Sequence, residues 1–411
     1  MAPVPRLRHG DPLWLYQRPP KRTYPQFRGH LETDVVIVGG GITGAMCAYL
    51  FADAGVRVVL LESRKAGRGS TVASTALLMQ EPDRDFLYLA ARFGRPAARE
   101  IWKSLGKATR TVGKTIRALG IKADLCKRDS VYFTLDPDKV KALRKEFDAR
   151  KAAGLPGRWL TAGGLYRMTG IKAQAGIATT GNAQVNPLRA CSGFLTAAAS
   201  RGAKIFERSH VRGVKISDSG IEVRTPAGTI TADRIVVATG YATREFRGLV
   251  GRFRMNDTYV VATKRLPRQR ARQVMAWDTD RPYHYVRWTE DGRLLIGGED
   301  TRHRSARGSR RRIARASARL RVYLAQIYPE LADAVAEYAW EGLFAETPDG
   351  LPYVGEHSRY PRHLFALGYG GNGMTASFLA ARTLVDLYQH RDKPRKAREI
   401  ANLFAFDRAR R

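Results

Sequence analysis

Three glycines stand at a spacing that makes room for a phosphate. Gly39, Gly41 and Gly44 follow directly on the apolar, β-branched run Val35 to Val38. In such an arrangement Gly39 allows the tight turn out of a strand, Gly41 lets the backbone approach a pyrophosphate, and Gly44 lets helix and strand pack closely. A helix beginning here, with Ala45 to Ala54 as its body, would offer an anion free N–H groups and the positive end of its dipole. A second buried run, Val56 to Leu61, leads to Glu62, 18 residues after Gly44. A carboxylate at that point accepts hydrogen bonds from an adenosine ribose and disfavours a 2′-phosphate. The glycines alone would be a tight turn. Strand, turn, helix, second strand and acid in register predict a dinucleotide-binding unit.

The same stretch offers a membrane reading, because Val35 to Ala52 is 18 residues without a charge. Three consecutive glycines interrupt it, Asp34 and Asp53 bound it, and a strand-like run opens it, so a bilayer span is excluded. The N-terminus, MAPVPRLRHGDPLWLYQRPPKR, has no apolar signal-peptide core. Cys47, Cys126 and Cys191 stand far apart with no CxxC, which argues against a disulfide framework or a zinc site. A cytoplasmic protein with no metal is expected. At 411 residues the chain is long enough for two domains.

Its formal net charge is +33, from 71 Lys and Arg against 38 Asp and Glu, with dense runs at Lys264 to Arg272 and Arg302 to Arg321. Such an excess attracts nucleic acid or an anionic membrane surface. No zinc finger, RNP-type motif or basic–aromatic interleaving supports a nucleic-acid partner, and a solvated cationic surface is the favoured reading.

Residues 1–29 read as a Pro-rich basic arm on the surface. Phe86 to Leu119 is helical in spacing and broken at Gly94-Arg95-Pro96; Pro137 to Ala153 is a charged helix, and Asn186-Pro187 opens another. Ala203 to Gly240 alternates like a β-meander, with turns at Asp218-Ser219-Gly220 and Pro226-Ala227-Gly228. Asp257 to Lys264 and Tyr283 to Gly298 read as strands, and Arg311 to Tyr328 as an amphipathic helix. Leu364 to Gly368 is a last buried strand, followed by the glycine turn Tyr369–Gly373 and a closing helix from Met374.

In this order, GRGSTVAS, QVNPLR, HVRGVKI, IVVATG, YVRWTEDGRLLIGG, ETPDGLPYVG and LGYGGNGMT make the chain resemble the D-amino-acid-oxidase-like superfamily of FAD-dependent oxidoreductases, similar to glycine and sarcosine oxidase and γ-glutamylputrescine oxidase. The resemblance implies an α/β plus α+β fold: a Rossmann-type FAD-binding domain of glutathione-reductase type with an interleaved antiparallel-sheet substrate domain. Residues 1–85, 186–250 and 345–411 would form the first, and 86–185 and 251–344 the second. It places Gly39, Gly41, Ile42, Thr43, Gly44, Glu62, Ser63 and Arg64 at the ADP half of FAD. Ser70, Thr71 and Ala73 would lie near the ribityl chain or ring, Val211 at the adenine, Ala238, Thr239 and Gly240 on the phosphate side, and Gly371, Asn372, Gly373 and Met374 at the flavin pyrimidine edge. A helix N-terminus there would stabilise a developing anion, although the same residues would also serve as the glycine cap of a packed helix.

Two departures from the family pattern matter. Some members attach FAD through a cysteine just before the TPD segment, where this chain has Gly342; non-covalent FAD is expected. Glycine- and D-amino-acid-type oxidases carry an arginine that forks the substrate carboxylate, where this chain reads Phe344. If Tyr283 to Arg287 is a strand, Tyr283, Tyr285 and Arg287 share one face. They would then hold an amine with a distal acid group, or be packing tyrosines and a surface arginine. Tyr285, Arg287, Phe344 and Tyr369 are the leading substrate-site residues, with Met79 and Gln80 behind them. The expected reaction is oxidation of an amine or N-substituted amino acid by hydride transfer to flavin and imine hydrolysis, with oxygen or another electron acceptor. A tRNA-modifying flavoenzyme and the flavin subunit of an electron-transferring dehydrogenase complex are the alternatives.

Overall fold

The computed structural model describes residues 7–217, 220–241, 243–267, 273–303, 308–390 and 394–408. Parts of both basic runs, residues 268–272 and 304–307, lie outside the described residues, as do residues 1–6 of the arm and Asp218-Ser219 of the first meander turn.

The β-branched run of the opening motif is the end of a ten-residue strand, Gly29–Val38. It pairs in parallel with Val58–Leu61 on one side and with Gly228–Gly240 on the other. Among the described residues these belong to an eight-stranded sheet that runs from Tyr353–His357 through Tyr360–Leu367, Gly228–Gly240, Gly29–Val38 and Val58–Leu61 to Lys204–Phe206. Only its Gly213–Ser217/Gly220–Thr225 hairpin extends the antiparallel meander expected for this region. Lys204–Phe206 instead pairs in parallel at the far edge, because its apolar Ile205 caps the core between Val58–Leu61 and the neighbouring helices.

The uncharged stretch after the strand becomes the helix Ile42–Asp53, apolar on nearly every face. It packs between helices Pro187–Ala199 and Gly373–Gln389, which buries its apolar faces on both sides. No helix among the described residues is long and apolar enough to cross a membrane.

A second sheet of ten strands carries the segments that alternate less cleanly. In it Arg254–Thr263 lies between Ala336–Glu346 and Leu294–Arg302. Tyr285–Trp288, Met275–Asp278, Cys126–Thr134 and Ala175–Gln184 follow outward. Helix Ser309–Ile327 covers one face through Ala316, Leu320, Tyr323, Leu324 and Ile327.

The N-terminal arm is not a surface tail. Arg8–Gly10 pairs with Trp340–Gly342 as an edge strand of the ten-stranded sheet. Leu13, Trp14, Tyr24 and Phe27 are buried. The proline content that suggested an exposed arm reflects edge and turn positions, which tolerate a missing N–H, while Leu13 and Trp14 fill the seam between the sheets and Tyr24 and Phe27 pack into the cores on the eight-stranded sheet. Trp14 Nε1 donates to the Ser74 carbonyl at 2.8 Å.

At the other end of the chain Arg408 is buried and forks Asp349, at 2.8 and 2.7 Å. It also donates to carbonyls of Leu351, Pro352 and Phe404. Burial pushes the Asp349 carboxyl up, but the hydrogen bonds and charge of Arg408 outweigh it and hold the group below its ordinary value. Arg408→Ala is expected to cost about 3–5 kcal/mol, because it strands a buried carboxylate; chemical denaturation checks it. The stability that Asp349 itself adds is present above the ordinary aspartate pKa and is lost as pH falls through the depressed one. The gap between wild type and variant should therefore narrow in acid. Trp14→Ala should cost about 3–5 kcal/mol by leaving a cavity in the seam, read as a fall in thermal midpoint.

Candidate functional site

The glycine turn does what its spacing demands. Gly39 has φ 110°, and a Cβ there would meet the Ala238 carbonyl at 2.5 Å. A Cβ on Gly44 would overlap the Gly39 carbonyl oxygen, so Gly44 sets how closely the helix approaches the strand. The helix begins with no side-chain cap and no acidic residue in its first turn. Ile42 N donates to Thr71 Oγ1 at 2.9 Å, drawing the short helix Ser70–Ala73 against that end. The Glu62 carboxylate accepts from Gly40 N and Arg64 N, both at 2.8 Å, and from Ser63 Oγ at 3.1 Å.

These groups open into a cavity of about 550 Å³ lined from both sheets. Gly39, Gly41, Ile42, Thr43, Glu62, Ser63, Arg64, Ser70, Thr71, Ala73, Val211, Ala238, Thr239, Gly240, Gly371, Asn372, Gly373 and Met374 all line it; Gly44 lies just behind. Helix Gly373–Gln389 also starts at the cavity without a side-chain cap. Its N-terminal turn is fixed by Asn372 Nδ2 donating to Glu81 O at 2.7 Å and Gly371 N donating to Asp83 Oδ2 at 2.5 Å.

The opposite wall is aromatic. Trp277, Tyr283, Tyr285 and Phe344 line it, with Met79, Arg281 and Asp300; Tyr369 also borders the cavity, but from the side of the first helix, packed on that core with its OH donating to Ala366 O at 2.7 Å. The Tyr283 and Tyr285 rings lie 5.9 Å apart. Asp278 fixes the turn that carries them. Its Oδ1 accepts from Asp280 N and His284 N at 3.0 and 3.1 Å, and its Oδ2 takes Tyr323 OH at 2.6 Å and lies 3.0 Å from His284 Nδ1. Asp278, Asp280 and His284 thus cluster through their own hydrogen bonds. Burial pushes the phenols of Tyr283, Tyr285 and Tyr369 well up, so all three stay neutral at pH 7. Burial also raises two carboxyls, Asp83 to about 7 and Asp300 to about 6.

Arg287 requires a correction. It shares a strand face with Tyr285, but it neither lines the cavity nor reaches the surface; it is 2% exposed. Its Nη1 donates to the carbonyls of Thr75, Ala76 and Val185, and its guanidinium lies 5.2 Å from the Trp14 ring. Burial, and then the charge of Arg128, lower its pKa, but the group remains protonated at neutral pH. Arg287 therefore holds the wall segment around Thr75 in place and has no reach to a ligand. Gln80 is likewise turned away, bonding Thr180 O and Asn182 Oδ1.

Sequence reasoning passed over Asp83, Trp277, Arg281 and Asp300. For Asp300 a signal existed, the paired Gly297-Gly298 inside a strand, which marks a bulge. Asp83 lies in a loop with no pattern to expose it.

Two uncapped helix ends, a carboxylate at the end of the second strand and a cavity of this size fit a dinucleotide whose phosphates rest on the first helix and whose ring meets the second. Comparison with known proteins agrees. The sequence profile of the FAD dependent oxidoreductases (DAO) matches residues 34–387. Glycine oxidase of Geobacillus kaustophilus is 26% identical over 378 residues, covering 87% of this chain and 93% of its own length. Gamma-glutamylputrescine oxidoreductase of Escherichia coli is 24% identical over 367 residues, covering 87% and 84%. The crystal structure of the Geobacillus kaustophilus glycine oxidase has the same fold, with a TM-score of 0.74 at 24% identity over 87% of this chain and 95% of that one. The matched stretch includes the strand, turn, helix and acid met first in the sequence, and the chain belongs to the FAD dependent oxidoreductase (DAO) family.

Proposed function

We propose that the protein oxidises the C–N bond of an amine or N-substituted amino acid. The observation that carries this reading is the continuity of the cavity, from the glycine turn at Gly39–Gly41 to the aromatic wall of Tyr283, Tyr285 and Phe344. Bound FAD supplies the electron sink for loss of a hydride from the carbon beside a neutral nitrogen, and the imine so formed hydrolyses in water. The names of the relatives, a glycine oxidase and a gamma-glutamylputrescine oxidoreductase, support an amine or amino-acid donor.

The chain's own groups have separable tasks. The first-turn amides after Gly41 and the Glu62 carboxylate bind the nucleotide half. The helix end at Gly371–Met374 presents its positive pole to the ring-binding part of the cavity, where negative charge develops during reaction. Trp277, Tyr283, Tyr285 and Phe344 exclude water and orient the donor carbon. None of Cys47, Cys126 and Cys191 lines the cavity, which supports FAD held without a covalent bond. Oxygen or another acceptor then takes the electrons.

Glu62→Ala should weaken FAD binding about tenfold or more, the loss expected for hydrogen bonds to a charged group; fluorescence titration of apoprotein with FAD measures it. Anaerobic mixing of holoprotein with a panel of primary and secondary amines and amino acids should bleach the flavin band. A panel that leaves the band intact would sink the amine reading.

A further inference from the structure

We propose that Asp300 binds a cationic nitrogen of the substrate, so that the preferred donor is an alkyl amine carrying a second ammonium group. This rests on the amine-oxidising reading above and narrows it.

The strand Leu294–Arg302 is irregular at one place. Gly298 pairs with Tyr259 and Thr301 with Asp257, leaving an extra residue opposite Thr258. Glu299 sits at φ 58°, a left-handed conformation unusual for a side chain other than glycine, asparagine or aspartate. Such a bulge re-aims side chains. Here Glu299 turns outward to Arg319 and His284, and Asp300 turns into the cavity.

Thr258, whose Oγ1 lies 3.5 Å from Tyr285 OH, is the group that most counters the effect of burial on the Asp300 carboxyl. Its Oδ1 is buried and has no hydrogen-bond partner among the described residues. The other charges on this wall are committed. Asp83 takes the Gly371 amide. Arg281 donates to Asp280 O, lies 4.0 Å from Asp85 and covers the Tyr283 ring. A buried carboxylate oxygen with no partner is costly, and a cationic ligand removes that cost. The adjacent Tyr283 and Tyr285 faces favour a cation as well. Phe344 offers a carboxylate no donor. In a chain of net charge +33, an acidic wall here is a local inversion.

The test uses holoprotein and three four-carbon probes: 1,4-diaminobutane, butylamine and 4-aminobutyrate. Wild type should show kcat/KM for the diamine about 10–100-fold above either competitor, the range for a hydrogen bond to a charged partner. Asp300→Asn should bring that ratio to within about threefold of unity, chiefly through KM for the diamine, on the same scale. Its FAD absorbance and thermal midpoint report whether the fold is kept, and Asp300→Ser repeats the measurement if the amide does not fold. Oxidation of all three probes without preference for the diamine overturns the inference and leaves the amine reading standing. An equal fall in kcat for diamine and butylamine in the variant also overturns it, and makes Asp300 a proton acceptor at the reacting nitrogen. Failure of every amine to bleach the flavin overturns the amine reading itself.

Discussion

The two sheets meet on a short run of backbone, Ala73 to Ala76, whose carbonyls point into the protein interior and must find donors there. Every one of the four is bonded. Trp340 Nε1 donates to Ala73 O at 2.8 Å, Trp14 Nε1 to Ser74 O, and Arg287 to both Thr75 O and Ala76 O. The donors come from the N-terminal arm and from two strands of the ten-stranded sheet, while the acceptors are the last residue of the short helix that touches the start of Ile42–Asp53 and the three residues after it. Ala76 itself has φ 58°, and Val185 N holds its carbonyl as well, at 3.2 Å. The position of the aromatic wall relative to the nucleotide turn follows from this clamp. A change in any one donor shifts the distance between the glycine turn and the aromatic wall.

Most of the nucleotide half was legible because it is local. Gly39, Gly41, Gly44 and Glu62 lie within one strand–helix–strand unit, where spacing in sequence is spacing in space. The ten-stranded sheet was legible only in part. Ala175–Gln184, AGIATTGNAQ, is built of small and polar residues, so it shows neither alternation nor an apolar run. Pairing with Cys126–Thr134 makes it a strand. Arg287 misled for the opposite reason. Strand alternation correctly put it beside Tyr285, but alternation does not say whether a face opens to a cavity or closes on backbone. The arm misled because its composition resembled a tail, and its four buried aromatic and aliphatic side chains have no periodicity to betray them.

The site also separates charge in a way that composition hides. The nucleotide turn offers amides, the uncapped helix ends offer partial positive charge, and the far wall offers carboxylates among aromatic rings. One cavity thus holds three environments of different charge. The basic surplus is spread over helix faces such as the arginine side of Ser309–Ile327 and does not set the polarity of the cavity.

The strand order has a consequence for how the chain is made. Gly29–Val38 emerges first, yet one of its neighbours is Gly228–Gly240, which in turn needs Tyr360–Leu367. The nucleotide sheet therefore stays open-edged until Tyr360–Leu367 has been synthesised, and its early strands must wait with unpaired backbone. Parallel pairings at such separations close slowly and leave sticky edges exposed. A ribosome-bound fragment ending before Tyr360 would carry the glycine turn and Glu62 but no completed sheet behind them, so nascent chains of this protein are natural clients for a chaperone until that strand is released.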